Sequence, residues 1–152
     1  MDNTVEYGGF WIRTGAAIID SIIVLLVITP VLTAIYGTDY WLSGGLVQGP
    51  LDVIINYVFP AVAIIVFWIY KSATPGKMVT HLTIVDAKTG GHPTTAQFVI
   101  RYLGYYLAAI PLFLGIIWVG FDKRKQGWHD KIAGTVVIRR KEGEPVVFEE
   151  SP

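Results

Sequence analysis

Arg13 and Asp20 are the only formally charged side chains inside three long apolar stretches of this chain, at positions 10–36, 53–70 and 102–121. A charge near the centre of a membrane helix costs about 2.5–3.5 kcal/mol on insertion scales, so Asp20 needs a partner, water or a proton. Arg13, nearer the end of its stretch, can snorkel toward the headgroups at smaller cost. Seven residues separate the two, close to two helical turns, which puts them on one face but roughly 10 Å apart along the axis. Direct pairing within a helix favours separations of three or four. The two charges therefore mark one polar stripe rather than one salt bridge. Two readings of Asp20 follow. It is a carboxylate that exchanges a proton for a cation, or it forms a fixed buried pair with a later basic residue such as Arg101 or Lys131. Burial raises a carboxylate pKa and a nearby cation lowers it, and that competition would allow exchange.

Other chemistry-bearing residues are weaker candidates. Asp130, between His129 and Lys131 in "GWHDKIAGT", either completes a polar cluster with Arg13 or caps the segment before the following strand. Asn56 and Pro60, within the second stretch, are candidates to face the same cavity as Asp20, although Asn is also a common interhelical hydrogen-bonding residue. "TPGK" lacks the Walker pattern, which requires a glycine where Lys71 stands and Ser or Thr at Met78. It reads as a turn ending the second span with Lys77 at headgroup level, phospholipid contact being the functional alternative. His81, His92 and His129 do not fall at metal-ligand spacing and no HExxH pattern exists. No cysteine is present, which excludes disulfides, thiolate metal sites and cysteine nucleophiles. No catalytic constellation is legible, and neither an enzyme nor a cofactor is expected.

The elements that must position these residues follow from composition. Of the 152 residues, 53% are hydrophobic and 16% charged, with zero formal net charge, which indicates one small membrane domain and gives no sign of nucleic-acid binding. A bilayer core about 30 Å thick needs roughly 20 helical residues to cross, and each apolar stretch is near or above that length. The segment ahead of the first stretch carries Asp2 and Glu6 rather than a basic cluster, so a retained helix is expected and not a signal peptide. Between stretches one and two, "YGTDYWLSGGLVQGP" reads as a short loop at a membrane surface. After stretch two, "HLTIVDA" followed by "KTGG" predicts a short strand and turn, and "GTVVI" near the end predicts another. Thr94 with Gln97 is a capping-box signature for a helix running into stretch three. The ending "EGEPVVFEESP" predicts a loose acidic tail over 142–152, following a membrane domain over 1–141.

The basic residues pose a topological problem. Lys71, Lys77, Lys88 and Arg101 lie before stretch three, and Lys123, Arg124, Lys125, Lys131, Arg139, Arg140 and Lys141 follow it. If stretch three crossed the bilayer, one basic segment would face the wrong side. Pro111, flanked by Gly104 and Gly115, suggests a broken, re-entrant hairpin that would leave both segments cytoplasmic, and the two strands can pair only if they share a side. The expected fold is an all-α integral membrane protein with two transmembrane helices, a third Pro-broken apolar segment that is re-entrant or spanning, and a short cytoplasmic β element.

Three blocks, "GFWIRTGAAIID", "TPGKMVTHLTIVD" and "FDKRKQGWHDKIAGTVVI", occur in the order found in the RDD family of membrane proteins, named for one arginine and two aspartates. The chain resembles that family over about residues 8–140. By position the resemblance assigns the arginine to Arg13 and the first aspartate to Asp20. The second is Asp130, with Asp122 and Asp86 as neighbouring alternatives. Some members resemble cation/proton antiporters or affect ion tolerance. The resemblance thus implies a transporter of ions or small solutes, against the alternative of a non-transporting scaffold or assembly factor. The expected setting is a bacterial cell membrane, with membrane lipid, further copies of the chain and a cation or proton as partners.

Overall fold

The computed structural model describes residues 5–139; Arg140, Lys141 and the expected acidic tail lie outside them. Helix α1 (Phe10–Tyr36) coincides with the first apolar stretch and runs unbroken through Pro30. A single 3-10 turn (Thr38–Trp41) begins the connection to α2 (Pro50–Lys71), which contains a π-helical turn at Ile54–Val58. Both helices are long and apolar enough to cross a bilayer. Their apolar side chains point outward, among them Leu25, Leu26, Val27, Val62 and Val66. In water such surface would have to be buried, but in lipid it is already solvated.

After α2 come a short helix α3 (Pro75–Val79) and strand β2 (Leu82–Asp86), then α4 (Thr95–Ala109), α5 (Leu114–Ile117), α6 (Trp128–Ala133) and β3 (Thr135–Arg139). Strand β1 (Glu6–Tyr7), ahead of α1, was not legible in the sequence because two residues carry no periodicity. The three strands form one antiparallel sheet in the order β1-β3-β2, with Leu82 opposite Arg139, Asp86 opposite Thr135, and Glu6 also opposite Arg139.

The capping box predicted at Thr94 and Gln97 starts α4, and the Gln97 side chain also donates to Asp86 (2.7 Å) and to the Gly134 carbonyl (3.2 Å), tying the helix to the sheet. Pro111 ends the helical run because its ring cannot be accommodated against the preceding turn. Leu112 and Phe113 then adopt left-handed backbone (φ 52° and 60°), and the chain turns through 112° between α4 and the segment that follows. Gly115 lets the returning arm close, since a Cβ there would stand 2.7 Å from the Cα of Ala108. Because β2 and β3 pair along five residues, both ends of this third apolar segment lie on one side of any bilayer that α1 and α2 cross. That is the arrangement the re-entrant reading requires.

The core sits where the helices meet the sheet. Ala16, Trp68, Leu82, Ile84, Phe98 and Val137 form one buried cluster, with Ile12, Ile64, Ile69, Tyr102 and Tyr105 against it. On the opposite face of the sheet Val85, Val136 and Ile138 pack with Val5, Tyr7 and Ala87. The alternation of Val136, Val137 and Ile138 between these clusters is the two-residue period of a strand buried on both faces.

Candidate functional site

Asp130 is the hub of a buried charge network. It occupies the first turn of α6 with no exposed surface and accepts from the N–H of Gly127 (3.0 Å), so it caps its own helix. Capping does not exhaust it. Its Oδ2 accepts from Arg13 Nη1 at 2.6 Å, and its Oδ1 accepts from Arg101 Nη1. Both sequence readings of Asp130 therefore describe the same side chain.

Each arginine is held by further acceptors. Arg13 Nε donates to the Gly8 carbonyl (2.7 Å) and Nη2 to the carbonyl of Lys125 (2.5 Å), which a left-handed backbone (φ 52°) presents to it. The arginine that sequence reasoning sent toward headgroups is thus taken up by protein oxygens. Arg101 is completely buried, donates to Thr135 Oγ1 (2.9 Å) and Tyr105 Oη (3.3 Å), and lies 5.5 and 5.6 Å from the ring centroids of Trp68 and Tyr105. His129 stacks on Tyr105 with centroids 3.9 Å apart, and Gly104 makes room for it. Burial, followed by the guanidiniums of Arg101 and Arg13 and the ammonium of Lys77, pushes the His129 imidazole far below its ordinary pKa and keeps it neutral.

Asp20 is placed differently from both expected pairings. Arg101 goes to Asp130 and Lys131 to Asp122 (2.6 Å), leaving Asp20 to accept from the Thr74 hydroxyl (2.5 Å) and the Gly76 N–H (2.7 Å). The reason is the crossing of α1 over the start of α3. Gly76 approaches so closely that a Cβ there would fall 2.0 Å from the carbonyl oxygen of Ala16. The carboxylate one turn further along α1 then meets free N–H groups at a helix start, where an anion is favourable. "TPG" supplies the N-cap, a proline at the first helical position and this contact.

Lys77, expected at headgroup level, is 8% exposed instead, and among the described residues its ammonium has no hydrogen-bond or ion-pair partner. Burial lowers its affinity for its proton, with Arg101 and Arg13 acting in the same direction. Asn56 does not share a cavity with Asp20. It belongs to a separate cluster at the other end of the spans, where its amide donates to Asp52 (2.6 Å) and Tyr40 (3.0 Å), and Tyr40 donates to Asp52 (2.6 Å). Asp52 is fully buried there and also accepts from the Gln48 N–H (2.8 Å). It escaped notice because it precedes the second apolar stretch by one residue. Asp86 closes the turn after β2, accepting from Thr89 N–H and Lys88 N–H (2.9 Å each). Asp122 accepts backbone N–H bonds from Arg124 and Gln126 (3.1 Å each) beside its Lys131 pair. Neither joins the network.

A model of the RDD family matches residues 7–134. The uncharacterized protein RP437 of Rickettsia prowazekii is 45% identical over 75 residues, covering 49% of this chain and 41% of its own length, so the matched region is less than half of that relative. The uncharacterized membrane protein YteJ of Bacillus subtilis is 28% identical over 143 residues, covering 91% of this chain and 84% of its own. The uncharacterized protein YckC of the same organism is 30% identical over 148 residues, with 93% and 91% covered. No solved structure matches. With the family model spanning most of its length, the chain is a membrane protein belonging to the RDD family.

Proposed function

We propose that the protein is a subunit of a transporter for ions or small solutes in a bacterial cell membrane, with Asp20 as the exchanging carboxylate. The observation that carries this is the contrast between the two aspartates. Asp130 is locked between two guanidiniums, whereas Asp20 bonds only to a hydroxyl and a backbone N–H, both neutral, inside an apolar span. A carboxylate with neutral partners can take up a proton or a cation without leaving a buried guanidinium uncompensated. Exchange of a cation for a proton is the simplest form of such transport. Two spans and a re-entrant hairpin are too few to enclose a pathway alone, so the working unit is a homo-oligomer in lipid, with no nucleic acid, catalytic reaction or cofactor involved.

The sheet faces the cytoplasm in this proposal, because the connection between the spans, 37–49, contains no Lys or Arg while the sheet side carries Lys71, Lys88, Lys123 and Lys131. A second reading is a non-transporting scaffold. It is favoured by the fixed geometry of the Thr74 and Gly76 bonds, which clamp α1 to α3.

Cation-dependent proton flux in proteoliposomes separates the two. Under transport, Asp20→Asn abolishes flux in a protein that still folds and inserts. A folded Asp20→Asn variant with undiminished flux overturns the assignment, and absence of flux in the parent across a panel of monovalent and divalent cations favours the scaffold.

A further inference from the structure

A groove of about 380 Å³ lies along the outer edge of β2, beside the end of α2. Ser72, Thr83, Ile84, Val85, Thr89 and the turn 90–92 line it, and no Lys, Arg, Asp or Glu is among them. Ser72 ends α2 in a left-handed conformation (φ 53°), with its N–H donating to the Trp68 carbonyl (2.8 Å) and its own carbonyl accepting from the Ile84 N–H (2.7 Å). These two bonds hold Ser72 against β2. It is 6% exposed, and among the described residues its hydroxyl makes no hydrogen bond. The half-buried Thr83 hydroxyl makes none either. His92 Nδ1 lies 2.7 Å from the Pro93 carbonyl, which can only accept, so Nδ1 carries the proton and Nε2 of the neutral ring is left as an acceptor. Ile84 turns its N–H away from β3 to reach Ser72, and in an antiparallel ladder its carbonyl turns the same way, along the groove.

A polar side chain this buried and without a partner calls for an explanation. The groove combines two hydroxyls, which both donate and accept, with two groups that only accept. A charged ligand would enter it without a countercharge, so the lining selects an uncharged one. An added peptide strand needs free N–H and C=O groups in alternation, but the outward N–H groups of Ile84 and Asp86 already donate to the carbonyls of Ser72 and Gly91 (2.7 and 2.9 Å). Neighbouring hydroxyl groups on one ligand do fit. They can donate to the Ile84 carbonyl and His92 Nε2 and accept from Ser72 and Thr83, with their carbon skeleton against Val85. The volume is at the low end for ligand sites, roughly right for one sugar ring. We propose that Ser72, Thr83, Ile84 and His92 form a binding site for an uncharged polyhydroxyl group, such as one sugar ring, at the outer edge of β2. The end of a span adjoins it, so the same chemistry can arrive as a lipid headgroup or as a soluble sugar. The inference does not depend on transport through Asp20.

The test uses the full chain in a detergent without a sugar headgroup, with its histidines 13C-labelled in the ring and His92 assigned by the signal lost in His92→Gln. Titrations with a panel of methyl hexosides and, separately, with a short-chain monoglucosyl diacylglycerol should move the His92 ring resonance saturably. Movement with the lipid alone identifies a headgroup site, movement with a methyl hexoside alone identifies a soluble sugar, and movement with both shows that the ring suffices. Ser72→Ala and Thr83→Val remove no existing hydrogen bond, and each should weaken binding about fivefold, the worth of one neutral hydrogen bond. No saturable movement of the parent resonance with any of these compounds means that the groove holds only water and overturns the inference, whether or not the variants fold. So does a folded Ser72→Ala or Thr83→Val that binds as tightly as the parent, and so does inorganic phosphate that saturates the site as well as the sugars do. Asp20→Asn should leave the titration unchanged, so loss of flux and loss of sugar binding are separate results.

Discussion

Replacing Asp130 by Asn removes the one negative charge shared by two buried guanidiniums. Arg101 has no exposed side-chain surface and Arg13 only 11%, so neither can recover its hydration in the folded state. The asparagine oxygen can still accept one of the two bonds, but its NH2 group must then face the other guanidinium or the Gly127 N–H that Asp130 now caps. The perturbation therefore approaches the limit in which one partner of a buried pair is deleted, about 3–5 kcal/mol of stability. Asp122→Asn provides the internal control. It breaks a pair of similar length with Lys131, but that lysine is 44% exposed. An ion pair of this kind contributes up to about 1 kcal/mol. Equilibrium unfolding of the detergent-solubilised chain against increasing dodecyl sulfate would measure both. A second change, Arg13→Met in the Asp130→Asn background, should restore part of the loss by removing one unpaired cation. If Asp130→Asn costs no more than Asp122→Asn, the network is not desolvated and the reasoning fails.

Two further outcomes follow from the packing and the topology. Gly76→Ala places a methyl group against the backbone of α1, where no side chain can rotate away. It should cost more than the roughly 1–3 kcal/mol of ordinary core overpacking and release the Asp20 bonds, read as lost thermal stability; a variant as stable as the parent would show that α1 and α3 do not touch. The absence of native cysteine makes labelling clean. Lys88→Cys and Lys123→Cys should react with a membrane-impermeant maleimide from the same side and Leu46→Cys from the other, and opposite-side labelling of Lys88→Cys and Lys123→Cys would exclude the re-entrant hairpin.

The parts of this fold that were legible are those encoded by composition or by a local pattern. Apolar runs gave the spans, Thr94 with Gln97 gave a helix start, and the β-branched "HLTIVDA" and "GTVVI" gave two paired strands. Pro111 marked the bend, though whether the segment returned needed the pairing of β2 with β3. Asp20 shows where reading fails. A charged side chain invites a search for an opposite charge, but its partners are a hydroxyl and a backbone N–H, and a backbone donor has no signature of its own. The closeness that makes the bond is written in Gly76, which in sequence is one more turn residue. Lys77 was set at the surface for the same reason, since nothing local to "TPGK" reveals that α1 packs across the start of α3. Asp130 was identified through family resemblance, while its bond to Arg101 joins residues 29 apart whose contact depends on the hairpin folding back.

The strand order carries a consequence for how the protein is made. β3, the last strand of the described residues, is the central one, and both β1 and β2 must wait for it. At ribosomal rates of 5–20 residues per second, the interval between the emergence of Glu6 and its partner Arg139 is roughly 7–27 s. For about the second half of that time both spans can already be in the bilayer, while Arg13 stands at the membrane surface without Asp130. Chains stalled before Thr135 would display an unpaired strand edge and a stranded guanidinium at the membrane surface. Those are two features by which a chaperone or a membrane protease could tell an unfinished chain from a finished one.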